Sequence, residues 1–402
     1  MQPAMRATMQ VGAAIATGIA LVIAVSVGTP ANGPKPANLT GSTVVATLQS
    51  GGKVHSAAVQ KALLATRQKP DDPAVAKAAA RVLINDGRDA GDSRLVGAAL
   101  GVLRPFMAAP DAEALYLAAV ARQYQHDFPG ALALLDTAAR LDSSDVNVIL
   151  TRATVQIVLG RFDRAAEDCD RLATLSRPDI AFLCQATNRL LTSDAPQIAV
   201  RLSAILERPG LLDPGLTGWA RGLLGEIEAL HGTPAVARQH FAAVIAENPL
   251  ALRERLLLAD LLLADGQPGK ALEVLAPAIP ADGVLVRRAI AALSTGDDDL
   301  AASLSAELEA RFGQNIALGL TAHAREETMY YLRVAKDPAL ALQRALVNWS
   351  HQHEIEDAQL LVDAAMFAGQ PDAAVPVVRW MESQSVEVPS FRLPEAVRKA
   401  AR

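Results

Sequence analysis

The chain has 402 residues, of which 51% are hydrophobic and only 4% aromatic, and its formal net charge is −5. This apolar content is enough for a buried core, so the composition excludes a disordered protein, and two cysteines are too few for a disulfide-stapled miniprotein. The charges form no long block of either sign, which argues against a nucleic-acid partner. Because Ala is the commonest residue and the strongest helix former, the composition favours an all-α protein.

Residues 1–31 have the order of a secretory signal. Arg6 precedes an uncharged apolar run over residues 11–27, and the small residues Gly28 and Ala31 follow this run. The run is slightly short for a membrane-spanning helix, which needs about 20 residues. We expect cleavage after Gly28 or Ala31, with an uncleaved inner-membrane anchor as the alternative and a buried cytosolic helix as the third interpretation. The first two interpretations predict a periplasmic or exported protein.

Residues 32–54 are predicted to be a flexible linker. The segment begins with Pro34 and Pro36, continues with Thr, Ser and Gly, and closes at Gly51 and Gly52. Proline and glycine without apolar periodicity favour extended, mobile chain. The alternative is a short strand or helix over residues 43–48.

Residues 55–385 are predicted to form short amphipathic helices in series. Apolar residues recur there at helical spacing in stretches of 12 to 16 residues, each of which ends in Gly, Pro or Asp. The turns have similar sequences, each of which ends in Ala. These alanines recur at an interval of 34 residues, which separates Ala131 from Ala165, Ala165 from Ala199, and Ala237 from Ala271. An interval that is repeated three times indicates an array of helical hairpins.

This pattern resembles the tetratricopeptide repeat family, whose 34-residue unit is a helix–turn–helix with small residues where the two helices cross. The small pairs in this sequence are Ala119 with Ala131, Ala153 with Ala165, Gly225 with Ala237, Ala259 with Ala271, and Ala289 with Ala301. The resemblance is best over residues 112–280 and extends more weakly to about 382. It implies an all-α fold, an α-solenoid of stacked helical hairpins. The sequence has thirty Arg but only eight Lys, which suggests a GC-rich bacterial genome. Together with the signal-like residues 1–31, this usage means that the chain resembles an exported bacterial tetratricopeptide repeat protein.

The two ends of the array depart from the repeat. Residues 71–103 are predicted to form a divergent first hairpin that caps the array. Residues 386–402 contain Pro389, Pro394 and a basic end, and they are predicted to form a C-terminal tail with a short helix.

The sequence shows little that indicates chemistry. It contains no zinc-protease, nucleophile-elbow, Walker or dinucleotide-binding motif, so we expect no enzyme, no cofactor and no metal site. His351 and His353, followed by Glu354 and Glu356, could supply metal ligands, but a solvated loop is the preferred interpretation. The adjacent acids Glu326 and Glu327 are expected to lie on a helix surface.

The resemblance places the two cysteines in neighbouring helices. Cys169 falls in the second helix of one unit and Cys184 in the first helix of the next. In an exported protein such a pair can form a disulfide that staples two repeats. The equally weighted alternative is two buried thiols that never meet.

The resemblance also implies a concave face lined by first-helix residues, where partner proteins or peptides bind. Tyr116 and Trp219 could act there as aromatic anchors, or could instead fill gaps between repeats. The sequence therefore predicts a noncatalytic scaffold or adaptor of the bacterial cell envelope with a protein or peptide partner. The alternatives are a membrane-anchored assembly or chaperone factor and, third, a metal-binding protein or enzyme. The predicted face comprises Tyr116, Gln123, Asn147, Thr154, Asn188, Trp219, Glu226, Arg253, Asp260, His323 and Tyr330.

Overall fold

The protein is described by a computed structural model that covers residues 56–402 except 91 and 176. The predicted signal over 1–31 and the predicted linker over 32–54 lie outside the described residues. The part of the chain that the structure describes is built from twenty α-helices and two short 3₁₀ turns, without a strand. No described helix has both the length and the apolar character that are needed to cross a membrane. The all-α prediction is confirmed.

The helices follow one another with short connections. The 3₁₀ turns span Arg104–Phe106 and Pro371–Ala374. The α-helices are α1 (Ala57–Gln68), α2 (Pro73–Ala90), α3 (Ser93–Leu103), α4 (Ala112–Tyr124), α5 (Phe128–Leu141), α6 (Val146–Val158), α7 (Phe162–Thr174), α8 (Pro178–Asn188), α9 (Ala195–Leu206), α10 (Pro214–His231), α11 (Pro234–Glu247), α12 (Leu252–Ala264), α13 (Pro268–Leu275), α14 (Asp282–Thr295), α15 (Asp298–Ala317), α16 (Ala324–Arg333), α17 (Pro338–Trp349), α18 (Ile355–Phe367), α19 (Val375–Ser383) and α20 (Glu395–Ala400).

The hairpins stack into two layers. Each helix packs mainly on its neighbours in the chain, and further contacts join α4 with α6, α6 with α8, α8 with α10, α12 with α14, α14 with α16, and α16 with α18. The even-numbered helices from α4 to α18 therefore form one layer. The odd-numbered helices from α5 to α17 form the other layer. This is the two-layer arrangement of an α-solenoid, in which each unit buries its apolar face against the next.

Local sequence signals explain where the helices begin. Aspartates precede several helices and accept hydrogen bonds from exposed backbone amides; Asp111 accepts from Ala114 N, and Asp145 accepts from Asn147 N. Such caps satisfy amides that have no partner inside the helix. Proline stands at the first position of others, as in α10 and α17, where its missing N–H costs nothing.

Small residues allow the two layers to approach closely. The alanines of the predicted pairs, from Ala119 to Ala301, are all buried. Gly225 shows the constraint most clearly, because a Cβ atom at this position would lie 2.7 Å from Phe241 Cε1. The predicted repeat register therefore coincides with the observed helix crossings.

The C-terminal part of the chain returns to the middle of the array. The backbone amide of Glu387 donates to the Leu191 carbonyl oxygen at 2.7 Å, and that of Ser390 donates to the Leu230 oxygen at 3.3 Å. Val386 and Val388 are buried in the same contact. Residues 386–402, predicted as a tail with a short helix, therefore contain the helix α20 and pack against the repeats.

Candidate functional site

The layer of even-numbered helices α4 to α18, which we call the inner layer, carries ten of the eleven residues of the predicted concave face, and His323 immediately precedes α16. Four of them are buried: Asn188, Trp219, His323 and Tyr330. Asn188 Nδ2 donates to the Phe162 carbonyl oxygen at 3.0 Å, and the Tyr330 hydroxyl donates to the Ser305 oxygen at 3.3 Å. Asn188 and Tyr330 thus bond within the array, so these two side chains are poorly placed to meet a partner.

The remaining predicted residues are partly exposed and fall into two groups. Tyr116, Gln123, Asn147 and Thr154 lie on α4 and α6 at the N-terminal end of the inner layer. Burial raises the pKa of the Tyr116 hydroxyl, so it stays a neutral hydrogen-bonding group. The second group, Glu226, Arg253 and Asp260, lies on α10 and α12.

The second group forms ion pairs that repeat along the array. Arg253 donates twice to Glu226, at 3.1 and 2.7 Å, and Arg287 donates twice to Asp260, at 2.8 and 2.6 Å. In both pairs the arginine follows its acid by 27 residues, and the two acids are themselves one repeat apart. Although burial opposes the charge of Arg253, the attraction of Glu226 raises its pKa above the ordinary value. Each arginine thus forms a bidentate contact with one carboxylate, and these contacts link neighbouring helices of the inner layer.

A further charged network is buried near the C-terminal end. Arg325 donates twice to Asp357, both at 2.6 Å, and also to Glu354. Arg344 donates to Glu327, which has no exposed surface, and to the Leu320 carbonyl oxygen at 3.0 Å. The expectation that Glu326 and Glu327 lie on a helix surface is therefore wrong, because α16 is buried along its first two turns. Burial raises the pKa of Glu326 to about 7.

The array is closed by a contact between distant turns, which we call the closure contact. It consists of Val158, Gly160 and Phe162 on the α6–α7 turn, with His353 and Trp380 from the C-terminal part. The His353 backbone amide donates to the Val158 carbonyl oxygen at 2.8 Å, and the rings of Phe162 and Trp380 lie 6.0 Å apart. The C-terminal part of the chain therefore contacts the α6–α7 turn directly.

The closure contact borders an open cavity of about 100 Å³, which we call the inner cavity. Its walls come from α6, α8, α10 and α12 on one side and from residues 353–356 on the other. Apolar side chains such as Leu150 and Trp219 line it together with four glutamates, Glu226, Glu254, Glu354 and Glu356. An adjoining cavity of about 260 Å³ shares Arg253 and Glu356 and extends toward α16.

Two glutamates of the inner cavity, Glu254 and Glu356, lie in surroundings that disfavour their charged form. Glu254 is 4% exposed, and its Oε2 atom has no hydrogen-bond partner in the described part of the chain. Burial raises the pKa of Glu254, and burial together with repulsion from Glu354 raises that of Glu356 to about 7. A buried carboxylate without a partner is costly, so Glu254 favours either a proton or a bound cation, and the raised pKa of the partly exposed Glu356 favours its protonated form unless a cation is bound.

Cys169 on α7 and Cys184 on α8 are joined in a disulfide, with Cα atoms 5.4 Å apart. Both residues are buried. Of the two interpretations that the sequence left open, the structure contains the staple between neighbouring repeats.

The two histidines of the predicted loop do not converge on a common centre. His351 Nδ1 lies 2.9 Å from the Val347 carbonyl oxygen, whereas His353 packs on Trp349 with ring centroids 4.3 Å apart. Burial lowers the pKa of His353, so it is neutral at pH 7. Among the described residues no cluster of three or more His, Cys, Asp or Glu side chains is arranged to hold a metal ion.

Sequence reasoning missed Arg287 and Glu254, and it did not recognise that the charged residues of this site form ion pairs. The ion pairs carried a signal, because Glu226, Arg253, Asp260 and Arg287 repeat at intervals of 27 and 34 residues. The importance of Glu254 carried none, since an acid between two arginines, Arg253 and Arg255, looks like any solvated charge.

Comparisons with known proteins identify the type of fold. No protein-family model matches the sequence, and no curated protein was found to be similar to it in sequence. Among solved structures, a Rap protein complexed with competence and sporulation factor is similar, at a TM-score of 0.50 and 12% identity over 81% of this chain and 90% of that one. A tetratricopeptide repeat protein from Parabacteroides merdae matches at 0.39 and 16% identity over 63% and 93%, and yeast Tom70 at 0.39 and 11% over 85% and 83%. The fold is that of a tetratricopeptide-type α-solenoid.

Proposed function

We propose that this tetratricopeptide-type α-solenoid is a noncatalytic scaffold of the bacterial cell envelope that binds a protein or peptide partner on its inner layer. The proposal rests on the group formed by Tyr116, Gln123, Asn147 and Thr154. These side chains are partly exposed on adjacent inner helices, and the Gln123 and Asn147 amides make no hydrogen bond within the described part of the chain. Free amides can bind polar parts of a partner, and the partly exposed Tyr116 ring offers an apolar contact on the same layer.

The similar Rap structure supports a binding role. That protein is complexed with competence and sporulation factor. A solenoid can hold a partner because its inner helices present side chains at regular intervals along one continuous surface.

An envelope location is supported by the sequence of residues 1–31 and by the Cys169–Cys184 disulfide. Disulfides persist in oxidising compartments such as the periplasm and are rare in the cytosol. If the apolar run over 11–27 is retained, the same scaffold would be tethered to the inner membrane. Separation of soluble periplasm from membranes, with the N-terminal residue of the purified chain determined, distinguishes the two forms.

The test of partner binding uses the tagged full-length chain, purified from gently solubilised envelopes. The inner-layer variant combines Gln123→Glu with Asn147→Asp, which adds charge while keeping side-chain size. Its matched control combines Glu167→Ala with Arg171→Ala, two exposed residues on the outer helix α7. We expect a partner that co-purifies with the wild type and the control and is lost from the inner-layer variant. A partner that both variants retain equally would overturn binding on this surface.

A further inference from the structure

The inner cavity has an excess of negative charge. Of its four glutamates, Glu226 is paired with Arg253 and Glu354 with Arg325. Glu254 and Glu356 line the same cavity, and no ion pair joins either of them to a basic side chain in the described part of the chain. His353, on the cavity wall, has a lowered pKa and brings no positive charge. Arg253 attracts both carboxyl groups, but its two hydrogen bonds go to Glu226, so neither Glu254 nor Glu356 has an ion-pair partner of its own in the described residues.

The position of Glu254 is fixed by the backbone of α10. A Cβ atom at Gly222 would lie 2.9 Å from Glu254 Oε1, so the absence of a side chain at 222 makes room for this carboxyl group. The second oxygen, Oε2, is buried without a hydrogen-bond partner in the described residues. A buried acceptor that lacks a donor is destabilising, and a donor from a bound group would remove that cost.

The other walls of the cavity favour an organic cation. Leu150, Ile157, Trp219 and Leu223 provide an apolar surface for methylene groups, and an indole ring also attracts cations. The volume of about 100 Å³ is several times the minimum that holds one water molecule. This is room for an ammonium group with a short alkyl chain.

We propose that the inner cavity binds a primary alkylammonium group, which donates a hydrogen bond to Glu254 and is neutralised by Glu254 and Glu356, while its alkyl chain lies against Trp219 and the neighbouring leucines. The cation belongs either to a free small amine or to a lysine side chain of a bound protein. The second source rests on the proposed scaffold function, whereas the first does not.

The direct test uses the purified wild-type chain and n-butylammonium as the probe, with binding measured by calorimetry and by the shift in melting temperature. 1-Butanol, which lacks the charge, and butyltrimethylammonium, which lacks the N–H donors, are the comparison compounds. We expect saturable binding of n-butylammonium at least tenfold tighter than either compound. Equal affinity for all three, or no binding of n-butylammonium, would overturn the proposal.

The variants Glu254→Gln and Glu356→Gln test the assigned residues. Each keeps side-chain size and removes one charge, and each is expected to weaken n-butylammonium binding at least tenfold. The matched control is Glu273→Gln, an exposed glutamate on α13, which should bind as the wild type does. If Glu254→Gln does not fold, Glu356→Gln decides the test. Unchanged affinity in a folded variant would contradict the assignment.

The two sources of the ammonium group are separated with a short lysine-containing peptide and its ε-acetylated form. Preference for the unmodified peptide identifies a lysine side chain as the ligand. Binding of n-butylammonium without binding of either peptide identifies a free amine. The n-butylammonium measurement does not depend on partner co-purification, so failure of the scaffold proposal and failure of this one are distinguishable.

Discussion

The backbone amide of His353 donates a hydrogen bond to the carbonyl oxygen of Val158 at 2.8 Å. The bond joins the start of α18 to the end of α6, two helices that are far apart in the repeat array. Beside it, the Phe162 amide meets Gln384 Oε1 at 3.4 Å. An array of repeats needs only contacts between neighbours, so these bonds distinguish a closed array from an open one.

Gly160 is predicted to control this closure. Its φ is +67°, and a Cβ atom there would lie 2.5 Å from Trp380 Nε1 and 2.9 Å from His353 Cβ. We expect Gly160→Ala to weaken the closure contact, because both backbone strain and overlap oppose the new methyl group. Gly266→Ala is the matched control, since Gly266 has φ +68° but open space around it.

Both variants pay the cost of a left-handed alanine, about 1–2 kcal/mol, so the difference between them measures the overlap alone. We expect Gly160→Ala to cost about 1–3 kcal/mol more than Gly266→Ala in urea unfolding. Its radius of gyration in X-ray scattering should also rise. Equal losses of stability with unchanged dimensions would show that the closure contact does not constrain the array.

Glu326 is predicted to destabilise the protein above neutral pH. Its pKa is raised by burial from 4.5 to about 7, so between these values the folded state holds a proton that the unfolded state releases. Stability from this group is therefore lost as pH rises from 4.5 to 7. We expect Glu326→Gln to increase the free energy of unfolding by about 3 kcal/mol at pH 8, and by little at pH 4.

The measurement is urea unfolding of wild type and Glu326→Gln at several pH values. His126 acts in the opposite sense, because burial lowers its pKa to about 3, so its contribution rises with pH from about 3 to 6.5. That contribution is common to both proteins and cancels in the difference. A difference that does not change with pH would contradict the raised pKa of Glu326.

Arg344 is predicted to stabilise the protein by neutralising the charge of Glu327. Replacing it with methionine leaves the fully buried Glu327 without its counter-charge. We expect Arg344→Met to cost about 3–5 kcal/mol of unfolding free energy. The control is Arg164→Met, which removes an exposed pair with Glu167 and should cost less than about 1 kcal/mol. Similar losses in the two variants would indicate that the Arg344–Glu327 pair is solvated.

The Cys169–Cys184 disulfide is predicted to stabilise the repeats it joins. The two residues are 15 positions apart, and closing a loop of that length contributes about 3 kcal/mol in the chain-entropy model. A reductant should lower the urea midpoint of the wild type and leave that of a Cys169→Ala, Cys184→Ala double variant unchanged. Alkylation of both thiols in unreduced, denatured protein would show that the bond is absent.

Much of the fold could be predicted because its signals are local. The 34-residue interval, the small residues from Ala119 to Ala301 and the helix-starting aspartates each act within one hairpin or between two neighbours. Helix propensity and hairpin packing depend on residues that are close in sequence, so the sequence alone indicated an all-α solenoid. The residues predicted for the concave face were assigned from the same repeat register, and their role stays a prediction; the burial of four of them was not foreseen.

The closure contact and the inner cavity were decided only by the tertiary structure. Whether the two ends of the array meet depends on the small rotation of each repeat relative to the one before it. These rotations add up over many repeats, and no local sequence pattern predicts the total. This return brings His353 to Val158 and places Glu356 in the cavity that Glu254 lines. The sequence determined the helices, their order and the repeat register. The folded chain determined which charges are buried together, because burial and pairing between distant residues depend on the geometry of the whole array.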